Sequence, residues 1–267
     1  MATRVAIAGL GAIGRVLART LADGVPGLEL ACAAVGDRAK AQAWLDREGI
    51  SCPIVELSEL PLHADLAVEC APAQVFEEIC RPMLEAGKTV MALSAGALLP
   101  RPELVALAKE RGAQIFIPTG ALLGLDAVTA AAEGCIHSVH MITRKPPQGL
   151  VGAPYLVAHN ISVAGLNEAK RVFCGSAREA AAGFPANVNV AAALSLAGIG
   201  PDRTTIEIWA DPAVDRNCHA IEVDSDSARF TLSIENVPSE NPKTGRITPL
   251  SVIAALRKLH SPLRVGT

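Results

Sequence analysis

The chain has 267 residues, 50% of them hydrophobic and 19% charged, with a net charge of −3. That length supplies core for one large domain or two modest ones. The mild acidity and 3% aromatic content exclude the basic, stacking-rich surface of a nucleic-acid binder. No run approaches the roughly 20 apolar residues of a membrane span, and the start, MATRVAIAGLGAIG, carries no leader pattern. The seven cysteines form no CxxC pair and suit a reducing cytoplasm, where cysteine is a small apolar filler. No Cys/His cluster has ligand spacing, so no metal is expected. His137 and His140 are the nearest histidine pair, but strand spacing puts them on opposite faces.

From the N-terminus, strand and helix patterns alternate. RVAIAG is a short apolar strand ending in glycine, and AIGRVLARTLAD has helical spacing. LELACAAV, ADLAVECA, KTVMALS and QIFIP read as further buried strands. DRAKAQAWLDREG, PAQVFEEICRPMLEAG and RPELVALAKERG read as the helices between them. Such alternation predicts a parallel sheet covered on both faces. It runs to about residue 118.

Beyond that point the pattern changes. GLDAVTAAAEG is helical, IHSVHMITRKPP is a strand entering a Pro/Gly loop, and KRVFCGS is a strand. SAREAAAGF and NVNVAAALSLAG are helices opened by the capping residues Ser176 and Asn187. RTTIEIWAD, CHAIEVDS and ARFTLSIENV follow as strands joined by short polar turns, which predicts antiparallel neighbours. The expected fold class is α/β: a Rossmann-type doubly wound parallel sheet over 1–118 and a second, α+β domain over 119–246. A C-terminal helix over 247–267 is expected to pack back on the first domain.

GLGAIG fits G-x-G-x-x-G in the context that gives the motif meaning: after a strand, opening a helix, with an acid ending the next strand. Gly9 permits the tight turn, Gly11 lets backbone approach a pyrophosphate, and Gly14 lets helix and strand pack closely. Ala12 and Ile13 start the helix whose N-terminus faces the phosphates. Asp37 is placed to accept hydrogen bonds from the adenosine ribose, which favours NAD. Arg38 beside it is suited to a 2′-phosphate, so NADP use stays open.

The second domain carries polar stretches that a scaffold does not need: PTGALLGLDAV, TRKPP, FPANVNVAAALSLAG, ADPAVDRNCHAIEV and ENVPSENPKTG. Together, and most specifically in NVNVAAALSLAGIGPDRT and DPAVDRNCHAIEV, they resemble the L-aspartate dehydrogenase family over nearly the whole chain. The resemblance implies a two-domain enzyme, commonly a homodimer. It would oxidise L-aspartate to iminoaspartate or oxaloacetate and be linked to NAD biosynthesis. It assigns His219 as the catalytic residue. It also puts Asn189 and the GALLG turn, with Gly120, Ala121 and Leu123, at the nicotinamide end of the cofactor.

Residue chemistry agrees. Oxidising an amino acid needs a group that takes a proton in one step and returns it in another near neutral pH, and imidazole suits this. Two substrate carboxylates call for cations. Arg144, Lys145, Arg216 and Lys243 lie in stretches read as loops, and Lys145 and Lys243, in stiff loops, are the substrate candidates. Thr119 and Asp126 are candidates for orienting substrate or nicotinamide, with helix capping the alternative role for Asp126. Two other readings remain open on sequence: an enzyme of the same build acting on homoserine or dihydrodipicolinate, and a non-catalytic NAD(P)-binding redox sensor.

Overall fold

The computed structural model describes residues 2–185, 188–239 and 245–266. The expected helix cap Asn187 and the substrate candidate Lys243 lie outside the described residues. The chain divides into two compact units, Met1–Pro118 with Pro249–Arg264, and Thr119–Thr248 with Val265–Thr267.

The first unit runs β1 (Thr3–Ala8), α1 (Ala12–Ala22), β2 (Leu28–Ala34), α2 (Arg38–Glu48), β3 (Ile54–Val55), α3 (Leu60–His63) and β4 (Leu66–Glu69). It continues with α4 (Phe76–Glu85), β5 (Thr89–Ala92), α5 (Ala95–Leu98), α6 (Pro102–Arg111) and β6 (Gln114–Phe116). The six strands form one sheet in the order β3-β2-β1-β4-β5-β6, every pair parallel. Sequence patterning does not reveal β3. Two residues are too few for a periodicity, and the strand exists because Ile54 and Val55 pair with Ala33 and Ala34.

Alternation explains the layers. Val5 and Ile7 point to one face and pack with Leu17, Leu21, Val68 and Met91. Ala6 and Ala8 point to the other and pack with Phe76, Ile79 and Met83. Both faces are dry, which is why the strands read as unbroken apolar runs. The strand order reverses at β1 and β4, and ligands of such sheets bind at the carboxyl ends of the strands there.

The second unit carries α7 (Leu125–Ala132), β7 (Ile136–Lys145), α8 (Pro154–Ala158), β8 (Lys170–Ser176), α9 (Ala177–Gly183) and α10 (Asn189–Ala197). The strands β9 (Thr204–Ala210), β10 (Asn217–Ser225) and β11 (Arg229–Asn236) follow. Ser176 caps α9 as its sequence suggests, in a reciprocal box with Glu179. The sheet order is β11-β10-β7-β9-β8. β7 and β9 are parallel and the other pairs antiparallel. This corrects one expectation. β10 and β11 are antiparallel neighbours, but β9 and β10 are not, because β7 lies between them. The six residues 211–216 are ample to step over one strand, about 10 Å.

The last helix, α11 (Ile247–His260), buries Val252 and Leu256 in the Val5–Ile7 cluster. These two residues lie four apart on one helix face, and each buried side chain is worth about 1.5–3 kcal/mol. Thr3 Oγ1 and His260 Nε2, 2.8 Å apart, tie the helix end to β1. The helix stops at His260 rather than running to 267, because Pro262 disfavours helical backbone at Ser261.

Candidate active site

The glycine turn of the first unit is built as its sequence requires. Gly9 sits at φ +105°, and a Cβ there would lie 2.7 Å from the Cys70 carbonyl oxygen. A Cβ at Gly14 would lie 1.9 Å from the Gly9 carbonyl oxygen. Both positions therefore exclude any side chain. Gly11 differs: its Cβ would meet open space. Gly11 caps α1, which has no side-chain cap and no acid in its first turn. The N–H groups around Ala12 and Ile13 are thus left for an anion.

Asp37 caps α2, its Oδ1 accepting from the Lys40 N–H at 2.9 Å. Arg38, the first residue of α2, donates through Nη1 to the Glu56 carboxylate and through Nη2 to the Ile54 carbonyl at 2.5 Å. Asp37 and Arg38 are both exposed.

In the second unit, β7 and β10 place Thr143 opposite His219. Lys145 lies two residues along β7 from Thr143 and so on the same face. All three are buried, as are the flanking Met141 and Ile221. Thr143 Oγ1 is 3.1 Å from His219 Nδ1. Burial, with the Lys145 charge added, pushes the His219 imidazole down to about 3. Burial alone pulls the Lys145 ammonium down to about 8. At neutral pH the site therefore holds a neutral imidazole and a cation, both largely stripped of water. Lys145 was expected in a loop. It is instead the last residue of β7, paired with Ala210, and the strand ends only at Pro146.

Arg144 faces the other side of the sheet. It pairs with Asp211 at 3.0 Å and stacks on the Trp209 ring at 4.9 Å. Arg216 pairs with its neighbour Asp215. Neither joins His219. Thr119 and Gly120 open a turn closed by the Leu122 N–H to the Thr119 carbonyl, 3.0 Å. Ala121 and Leu123 follow, and Gly124, at φ +67°, caps α7. Asp126 is therefore the second residue of α7 rather than its cap. Asn189 is the exposed first residue of α10.

Two residues of this region went unselected in the sequence. Thr143 is one; its inward register opposite His219 appears only once the strands are paired. Asn236 is the other. It is 3% exposed, sits opposite Asn217 at the end of β11, and donates through Nδ2 to the Ala121 carbonyl at 3.0 Å. It thereby ties the GALLG turn to the strand pair carrying His219. An asparagine at an inward position of an alternating strand was the available signal.

A dinucleotide fits the first unit: the open space before Gly11 and the uncapped start of α1 meet the needs of a pyrophosphate. Comparison with known proteins agrees. Residues 9–118 match the model "Homoserine dehydrogenase, NAD binding domain", and residues 126–259 match "Aspartate dehydrogenase, C-terminal". An L-aspartate dehydrogenase of Bordetella bronchiseptica is 57% identical, the match covering 98% of this chain and 97% of that protein. One of Bradyrhizobium diazoefficiens is 56% identical over 99% of this chain and 94% of its own length. The crystal structure of aspartate dehydrogenase from Thermotoga maritima superposes with a TM-score of 0.78 at 26% identity, all of both chains covered. The homoserine dehydrogenase model matches the cofactor unit alone, whereas Thr143, Lys145 and His219 lie within the aspartate dehydrogenase match. The chain belongs to the L-aspartate dehydrogenase family.

Proposed function

We propose that the protein catalyses NAD(P)-dependent oxidation of L-aspartate to iminoaspartate, which water converts to oxaloacetate and ammonia. His219 is the general acid/base and NAD the preferred cofactor. The bound nicotinamide supplies the acceptor for the hydride leaving the substrate α-carbon. The observation that carries this reading is the buried cluster of His219, Thr143 and Lys145 on one face of the second sheet.

Gly9, Gly11, Ala12, Ile13 and Gly14 hold the pyrophosphate, and Asp37 the adenosine ribose. Gly120, Ala121, Leu123 and Asn189 receive the nicotinamide end, with Thr119 beside them. Lys145 takes a substrate carboxylate as a point charge, assisted by Lys243. Thr143 holds the imidazole by Nδ1 and leaves Nε2 for proton exchange with the substrate nitrogen and with the water attacking the imine. In the free enzyme His219 is a weak base because it is buried beside a cation. The substrate carboxylates reverse that balance, since a nearby anion favours the protonated imidazole. The proton released by the amine thus has an acceptor only when substrate is bound.

The imine product feeds pyridine-nucleotide synthesis, and the enzyme works in the cytoplasm as a homodimer. Burial pushes the thiols of Cys32, Cys52 and Cys80 up to about 11, 12 and 12, so they are protonated fillers suited to a reducing compartment.

The test is a panel of L-aspartate, L-glutamate and L-homoserine with each cofactor at alkaline pH, following nicotinamide absorbance. L-Aspartate with NAD should dominate. Turnover of homoserine without aspartate would defeat the proposal, and cofactor binding with no turnover would favour a redox sensor.

A further inference from the structure

We propose that Glu56 sets cofactor choice by holding Arg38 away from a 2′-phosphate, so that an arginine beside Asp37 does not confer NADP use. This rests on the reading that the dinucleotide lies on the Gly9–Gly14 turn with its ribose at Asp37. Arg38 is the residue that the sequence offers to a 2′-phosphate.

The structure commits that arginine elsewhere. β3 runs parallel to β2, with Ala34 opposite Val55, so both strands end at the same edge of the sheet. Asp37 and Arg38 follow the first and Glu56 the second. Arg38 is held by two acceptors at once, the Glu56 carboxylate through Nη1 and the Ile54 carbonyl through Nη2.

An exposed ion pair is ordinarily worth about 0–1 kcal/mol, because two long side chains must be ordered to form it. Here one ordered guanidinium makes two contacts, to the Glu56 carboxylate and to the Ile54 carbonyl. The Glu56 N–H donates to Glu59 Oε2 at 2.9 Å and the Glu59 N–H to the Glu56 backbone carbonyl at 3.0 Å, so the Glu56 backbone is held in place. Less ordering is therefore required than for a free pair. A 2′-phosphate would have to break both of Arg38's contacts. It would also sit near the Asp37 carboxylate, which repels it. Glu56 acts through Arg38 rather than by touching NAD, so it is a positioning residue for specificity.

The test compares the unaltered protein with Glu56→Gln, which keeps the side chain's size and removes its charge. Binding of NADH, NADPH and 2′,5′-ADP is titrated directly, by nicotinamide fluorescence for the first two and calorimetry for the third. Glu56→Gln should bind NADPH and 2′,5′-ADP about tenfold more tightly, close to 1.4 kcal/mol, with NADH affinity within twofold. Adding Arg38→Ala should abolish that gain, because the freed guanidinium is its source. An unchanged NADPH-to-NADH ratio in a variant that still binds NADH overturns the proposal, as does a gain that survives Arg38→Ala. An unaltered protein that binds neither NADH nor NADPH overturns the cofactor reading and this inference with it.

Discussion

Thr143 and His219 face each other across β7 and β10, with the threonine hydroxyl 3.1 Å from the imidazole Nδ1 and both side chains buried. A hydroxyl can donate to or accept from the ring, so it orients the imidazole in either tautomer without fixing a charge on it. Thr143→Val keeps the shape and removes the hydroxyl, and turnover should fall about tenfold, the scale of one hydrogen bond. Thr143→Ser should retain most activity. His219→Ala should cut turnover by about 10²–10⁴-fold with NADH affinity unchanged. Near-normal turnover of that variant would remove His219 from the mechanism.

Burying the Lys145 ammonium costs stability. Its value in the folded protein, about 8, lies below the ordinary 10.5. Between those values the unfolded chain binds more protons, so stability rises with pH from 8 to 10.5, and below 8 the whole cost is present. Lys145→Met should therefore raise stability at pH 7, by up to about 3 kcal/mol, while sharply raising KM for aspartate. Denaturant melts at pH 7 and pH 10 check both the sign and the window. A destabilised methionine variant would contradict the account.

The same two groups shape the pH profile. His219, lowered from 6.5 to about 3, stays neutral in the free enzyme above mildly acid pH. It contributes a loss of stability as pH falls from 6.5 to 3, where the unfolded chain takes up the proton first. Aspartate oxidation should rise with pH as the substrate amine deprotonates. Affinity for aspartate should weaken on the alkaline side as Lys145 loses its charge, giving a bell in kcat/KM. Lys145→Arg should move the alkaline limb upward, since arginine keeps its proton. An alkaline limb identical in this variant would detach Lys145 from substrate binding.

Two glycine substitutions separate cofactor binding from folding. Gly11→Ala adds a methyl group in open space, so its melting temperature should stay close to the original while NADH affinity falls steeply. Gly14→Ala forces a contact of 1.9 Å with backbone and should lose folded protein altogether. Equal loss of stability in both variants would refute the distinction.

Asn236 joins β11 to the GALLG turn through the Ala121 carbonyl. Asn236→Leu leaves that carbonyl without its donor, a cost of about 1–3 kcal/mol, and should raise KM for NAD more than KM for aspartate. A fall in melting temperature with both constants unchanged would make Asn236 a purely structural residue.

The sequence by itself determined the parallel sheet, because strands buried on both faces must be continuously apolar, as in RVAIAG and LELACAAV. It also specified the glycine turn, where Gly9 and Gly14 admit no side chain, while His219 came forward through family resemblance. Tertiary structure decided what depends on pairing. Strand β3 is two residues that exist only beside β2. β7 separates β9 from β10, a partnership that adjacency in the chain cannot reveal. The burial of Lys145 follows from the pairing of β7 with its neighbours, and the meeting of Thr143 with His219 from register between residues 76 apart. Arg38 makes the same point: its neighbour in sequence is Asp37, but the carboxylate that engages it, Glu56, comes from the end of another strand. Local pattern specifies which way a side chain points, and only the pairing of distant segments specifies what it points at.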